Sequence, residues 1–307
     1  MSRFKIFIIN CLPDFAVYFF AKPYLGGNSL EEGINKAKLL WKKGLSSTID
    51  MLGEDLKSKE EVEHAIGVYL KAIDRVNEEQ MQDYASISVK PSSLGYLVSE
   101  DYYIKNLEKV VSYASEKGIE ITIDMEDHNY TDVTLKSYKL LKTKYPLLGT
   151  VLQTRLFRTE RDIEELGDIN ARIRLCIGIY REPKEIAYTN KKLMKERLIA
   201  FAQELISNNH YVAFATHDEK YIRRMLSIVD EKGLTKDKIE FQMLLGVPRR
   251  KIQKEIIERG FVMRLYVPFA EEKKYSIAYL RRRLYENPFM VFSVLKNIFR
   301  TIFKFGN

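Results

Sequence analysis

Eight short β-prone runs recur along this chain, with helical stretches between them: 46–51 (SSTIDM), 84–90 (YASISVK), 119–124 (IEITID), 148–153 (LGTVLQ), 172–178 (RIRLCIG), 211–216 (YVAFAT), 238–244 (KIEFQML) and 261–267 (FVMRLYV). Strands that alternate with helices pair in parallel, through right-handed βαβ units. A repeat of eight such units predicts an α/β fold, a TIM-type (βα)8 barrel, preceded by an N-terminal helical extension. In a barrel of this kind the C-terminal strand ends converge on one mouth, where the chemistry sits. The residues at or just past those ends are Asp50 and Glu54, Lys90, Asp124, Gln153, Tyr180, Thr216 and His217, Gln242, and Tyr266. An open doubly wound sheet is the competing arrangement. Its dinucleotide-binding form needs G-x-G-x-x-G after the first strand, and MLGED supplies Gly53 alone.

The intervening segments carry helix signals. Residues 29–44 open on Ser29 as N-cap with Glu32 three residues on, and close at Gly44. Residues 59–79 place Val62, Ile66, Tyr69, Leu70 and Ile73 on one side, and 101–118 and 191–209 behave likewise. No Pro/Gly/Ser linker divides the 307 residues. One domain is therefore expected over 1–307: the helical extension at 1–44, the barrel at 45–290 and a C-terminal helix at 291–307.

Charge excludes some functions. The net charge is +8, but the charges are interspersed, as in KSKEEVEH at 57–64, and mark solvated helix faces. No nucleic-acid partner is expected. Cys11 and Cys176 form no disulfide framework, which suits a reducing, cytoplasmic setting. The His and Cys residues lack metal-ligand spacing, so no metal is expected. Pro13 and Asp14 interrupt the apolar N-terminus before it reaches the length of a membrane span. Near the other end, 289–305 sets Phe292, Leu295, Phe299, Ile302 and Phe303 on one face, with Lys296, Arg300 and Lys304 on another. Such a helix either docks on the barrel or lies at the inner face of a membrane; docking is the expectation.

The strand ends belong to longer motifs. In order they are DMLGE (50–54), ISVKPSSLG (87–95), IDMED (123–127), VLQTRLFRT (151–159), RIRLCIGIYREP (172–183), FATHD (214–218), EFQMLLGV (240–247), RLYVPF (264–269) and YLRRRLYENP (279–288). From about residue 28 to residue 290 the chain resembles the proline dehydrogenase family in this ordered series. The resemblance implies a distorted form of the barrel, FAD as cofactor and L-proline as substrate. It implies hydride transfer from the proline ring to flavin N5, giving Δ1-pyrroline-5-carboxylate, with a quinone as the onward electron acceptor. It assigns Asp124, Arg174 and Tyr266 to catalysis. It places Lys90, Arg282, Arg283, Tyr180, Leu244, Glu54 and Glu286 around the substrate, and Met125, Gln153, Arg174, Gly178, Thr216 and His217 around the cofactor.

The residue types suit those assignments. Guanidinium offers a planar fork to a carboxylate, although Arg281–Arg283 read alone would be a surface cluster. Lys90 needs an acidic partner if buried, and Asp124 on the neighbouring strand is the expected one. Glu54 is expected to pair with an arginine across the mouth, and Glu286 follows Arg282 by four residues, on the same helical face. A fixed positive charge at Arg174 would stabilise negative charge developing beside it. Tyr180, Tyr266 and Leu244 suit the walls of a small apolar ring. The chain departs from the family pattern at Ile177, where a lysine is usual, at Ile179, where a small residue is usual, and at Arg155, where an aromatic is common. Two other readings stand beside this one. One is a flavin-free, aldolase-like barrel forming a Schiff base on Lys90. The other is a non-catalytic, membrane-associated homologue.

Overall fold

A computed structural model describes residues 9 and 11–286. Eight strands close into a barrel in sequence order: β1 (Ser46–Met51), β2 (Ala85–Val89), β3 (Ile121–Ile123), β4 (Leu148–Gln153), β5 (Arg172–Cys176), β6 (Tyr211–Ala215), β7 (Ile239–Leu244) and β8 (Met263–Phe269). Every neighbouring pair is parallel, including β8 against β1. The eighth strand runs two residues further than the pattern at 261–267 suggested. The fifth stops earlier than 178, because the chain leaves the sheet at Gly178, whose φ of +94° only glycine adopts easily.

Period two decides which side chains enter the lumen. On β1 the apolar Ile49 faces outward while Thr48 and Asp50 face in; on β2 Ile87 and Val89 face out while Ser86 and Ser88 face in. Hydrogen bonds between strands that are not neighbours confirm the inward set, since they can only cross the lumen: Arg174 of β5 reaches Ser88 of β2, and Arg264 of β8 reaches Ser86 of β2. The apolar core is therefore an annulus between the outer face of the sheet and the helices. There Ile49, Ile87, Ile123, Leu175, Phe214 and Phe241 are buried against helix residues such as Tyr69, Ile73, Tyr103, Leu141, Leu198 and Met225.

The helices follow from local signals. They include α1 (Asp14–Ala21), α2 (Leu30–Trp41), α3 (Lys59–Glu78), α4 (Glu100–Glu116), α5 (His128–Lys142), α6 (Thr159–Glu164), α7 (Lys191–Ser207), α8 (Glu219–Glu231), α9 (Arg250–Glu258) and α10 (Lys273–Glu286). Ser29 caps α2 by accepting from the Glu32 amide, and Ser58 with Glu61 forms a capping box on α3.

The distortion has a specific form. Helix α2, from the extension, packs outside β1 and β8, with Gly33 close against the Phe269 ring. It fills the slot that the helix after β8 would take in a regular barrel. That helix, α10, instead packs with α1, through Val17, Phe20 and Ala21 against Ile277, Leu280 and Leu284. The extension is thus part of the ring, and α10 is free to cross the mouth. Among the described residues no helix is long and apolar enough to cross a membrane. The expected helix at 291–307 lies outside the described residues.

Candidate active site

The site is built on charged side chains that the strands carry into the lumen. Lys90, at the end of β2, is 4% exposed and donates to Asp50 Oδ1, with Asp124 Oδ2 at 3.8 Å. Burial alone would depress the ammonium, but the Asp50 and Asp124 carboxylates overcome this and hold it well above the ordinary lysine value. The primary partner of Lys90 is thus Asp50, one strand back, rather than Asp124 as expected. Burial pushes the Asp50 carboxyl up to about 6 against the pull of Lys90. Tyr266 lies close to both carboxylates, but its single proton goes to Asp124 Oδ2 at 2.5 Å, which leaves Asp50 Oδ2 buried without a donor.

Asp124 is the hub of this layer. It accepts from Ser88 Oγ at 3.0 Å, from Arg174 Nη1 and from the Tyr266 hydroxyl. Arg174 projects from the middle of β5 into the lumen, gives Nε to Gln242 Oε1 at 2.7 Å and Nη2 to Ser88 Oγ at 3.1 Å, and lies 5.2 Å from the Tyr266 ring centre. One step below, Glu240 and Arg264 form a buried pair through hydrogen bonds of 2.9, 3.1 and 3.1 Å.

The rim closes over these charges. Arg282 of α10 donates to Glu54 Oε2 at 2.7 Å, with its guanidinium 5.9 Å from the Tyr180 ring, so the expected pairing across the mouth is present. Arg283 is buried and lies 5.0 Å from the Tyr279 ring. Burial, then the charges of Arg283 and Arg249, push the His217 imidazole down to about 4. The two arginines thus serve different parts of the mouth. Glu286 ends α10, and its side chain lies outside what the structure describes. Leu244 is half-buried beside Tyr266 in the β7–β8 register.

The positions expected to hold a cofactor lie on β4, on β5 and on the loops after β3, β5 and β6. Gln153 donates from Nε2 to the Glu126 carbonyl at 2.8 Å, while its Oε1 is buried without a partner. Gly178 packs on that oxygen so closely that an added Cβ would sit 2.1 Å from it. Met125 is buried nearby, and Thr216 Oγ1 accepts from the Asp218 amide at 3.2 Å. His217 Nδ1 is also buried without a partner. Orphaned polar atoms at Gln153 and His217 fit a flat heterocycle with hydrogen-bonding edges. Among the described residues no group of acidic, His or Cys side chains is placed to hold a metal.

Sequence reasoning missed Asp50, Ser88, Gln242 and Glu126 as site residues. Asp50 and Gln242 stood among the strand ends; the period-two placement of Ser86 and Ser88 was the signal for the serine. Glu126 accepts from the Ser92 amide at 2.9 Å and the Ser92 hydroxyl at 2.6 Å, tying the turn after Lys90 to the loop that holds Gln153. Burial pushes its carboxyl up to about 7.

Comparison with known proteins agrees with this geometry. A family model described as proline dehydrogenase matches residues 34–180 and 182–292. Proline dehydrogenase 2 of Bacillus subtilis (strain 168) is 34% identical over 264 residues, covering 86% of this chain and 85% of that protein. The proline dehydrogenase of Deinococcus radiodurans is 32% identical over 285 residues, covering 90% of each. Proline utilization A (PutA) from Bdellovibrio bacteriovorus, solved after inactivation by N-propargylglycine, superposes with a TM-score of 0.80 at 24% identity. That match covers 88% of this chain and 32% of the PutA chain, so the chain spans about a third of it and the likeness speaks to fold.

Proposed function

The chain belongs to the proline dehydrogenase family and oxidises proline, the first step of proline catabolism, and from that premise we propose that it does so with FAD, held by Gln153, Gly178, Met125, Thr216, His217 and Arg174. When bound, the flavin supplies a two-electron acceptor for the hydride that leaves the proline ring carbon next to nitrogen. The substrate also loses a proton from nitrogen, and the product is the cyclic imine Δ1-pyrroline-5-carboxylate. Lys90 and Arg282 bind the carboxylate, with Arg283 adding positive charge at the same mouth. Tyr180, Tyr266 and Leu244 bound the ring, and the Glu54–Arg282 pair closes the rim and excludes water. Arg174, kept in place by Asp124, holds fixed positive charge where negative charge accumulates. Orientation of this kind lowers a barrier by about 7–11 kcal/mol in favourable cases. Electrons then leave to a quinone.

The observation that carries this reading is the gathering of Lys90, Asp124, Arg174 and Tyr266, from four different elements of the barrel, into one cluster, in which Arg174 and Tyr266 hydrogen-bond Asp124 and Lys90 lies within ion-pair distance of it. It opposes the aldolase-like reading. A Schiff-base lysine must be neutral to attack a carbonyl, and Lys90 is held as an ammonium. Steady-state oxidation of L-proline with a quinone analogue tests the reading. Turnover is expected, with KM raised in Lys90→Met; a wild-type protein without turnover contradicts it.

A further inference from the structure

A guanidinium has five N–H donors, and within the lumen Arg174 gives three of its nitrogens to Gln242, Asp124 and Ser88. The first of these bonds depends on an orientation that Arg174 does not itself control. The Gln242 amide meets Nε with its oxygen; turned over, it would present NH2 to a guanidinium, donor against donor. The choice is made one layer deeper. Gln242 Nε2 donates to Glu240 Oε1 at 2.5 Å, and an ionised carboxylate only accepts. Glu240 in turn is held by Arg264, which also donates to the Ser47 carbonyl at 3.1 Å and to Ser86 Oγ at 3.2 Å. Glu240 is 1% exposed and sits a full strand repeat below Gln242, so it is remote from the rim.

We infer that Glu240 and Gln242 are positioning residues for proline oxidation, a buried relay in which the carboxylate sets the amide and the amide sets the guanidinium of Arg174. The relay keeps the Nε edge of Arg174 turned into the lumen and leaves the spare N–H groups on Nη1 and Nη2 for the rim. It rests on the FAD-dependent reading above, and it extends the functional machinery to a residue that touches neither substrate nor cofactor.

The test uses the flavin-loaded, full-length enzyme and reads kcat, KM for L-proline, the midpoint potential of the bound flavin and the melting temperature. Glu240→Gln frees the Gln242 amide to turn. It is expected to lower kcat on the order of tenfold or more, as misplacement of a functional group does, while KM changes little because Lys90 and Arg282 hold the carboxylate. The midpoint potential falls with kcat, because the positive charge is less well aimed. Gln242→Met removes both ends of the amide, leaves the Glu240–Arg264 pair in place and is expected to act in the same direction; it decides alone if Glu240→Gln does not fold. The double variant Glu240→Gln/Gln242→Glu reverses the relay. The new carboxylate accepts directly from Arg174, and the new amide donates to it while accepting from Arg264. Rate and potential should recover well above the product of the single effects, which a merely structural role would not produce. Single variants with the wild-type rate and potential overturn the relay, and so does a double variant worse than either single. A wild-type protein that neither binds flavin nor oxidises proline overturns the underlying reading as well.

Discussion

The lumen holds two charged layers, and they differ in completeness. In the lower one Glu240 uses both oxygens on Arg264, and Oε1 also accepts from Gln242. Burial opposes the Glu240 charge, yet the Arg264 guanidinium holds its carboxyl below the usual carboxylate range. In the upper layer Lys90 and Arg174 face Asp50 and Asp124, Asp50 Oδ2 has no donor and burial pushes the Asp50 carboxyl up to about 6. The chemistry is the same and the burial is similar, but one layer is closed and the other keeps unspent hydrogen-bonding capacity at the mouth. A closed buried pair contributes order and little net stability against an apolar replacement, whereas losing one partner strands a charge. An open layer is poised to take a ligand.

This contrast predicts separable losses. Arg264→Met strands the Glu240 carboxylate and should cost about 3–5 kcal/mol of stability by denaturant unfolding; a loss under 1 kcal/mol would show that the lower layer is no closed pair. Arg174→Met should show its main defect in catalysis, with kcat down roughly 100- to 1000-fold, the loss typical of a preorganised charge. A kcat within about threefold of wild type would remove Arg174 from the upper layer's function. Arg282→Met removes one charge-assisted contact to the substrate carboxylate and should raise KM roughly 10- to 100-fold. An unchanged KM would take Arg282 out of the clamp.

The pH dependence comes next in size. Burial pushes the Glu126 carboxyl from 4.5 to about 7, so the folded protein keeps a proton there that the unfolded chain releases. The stability contributed by the neutral carboxyl is complete below pH 4.5 and is lost as pH rises through about 7. Glu126→Gln cannot ionise, so its melting temperature relative to wild type should climb between those values; a constant difference would mean that Glu126 does not titrate in this window. The smallest effect belongs outside the lumen. Lys136 and Glu100 pair at 2.6 Å on the surface with both side chains exposed, and Lys136→Ala should change stability by about 1 kcal/mol or less.

Much of this architecture was legible from residue order. Strand spacing and the lack of linkers predicted a closed barrel, and the strand-end residues Lys90, Asp124 and Tyr266 come together. The Glu54–Arg282 pair was expected from the family resemblance, which pairs this glutamate with one of the arginines. What escaped depends on geometry that local sequence does not encode. Strand register places Lys90 beside Asp124, since Val89 pairs with Ile123, but the long lysine side chain reaches back to Asp50, which stands opposite Ser88. The replacement of the eighth ring helix by α2 is a competition between distant segments for one slot on β1 and β8. The separation of Arg282 from Arg283 follows from α10 crossing the mouth, which turns adjacent residues to different neighbours.

The central claim is that the open upper layer and the polar atoms of Gln153 and His217 together hold a flavin against proline. The visible absorption spectrum of the purified protein, recorded before and after anaerobic addition of L-proline, tests it most directly. A flavin spectrum that bleaches on addition is predicted; a colourless protein, or a flavin band that proline leaves unchanged, would contradict the claim.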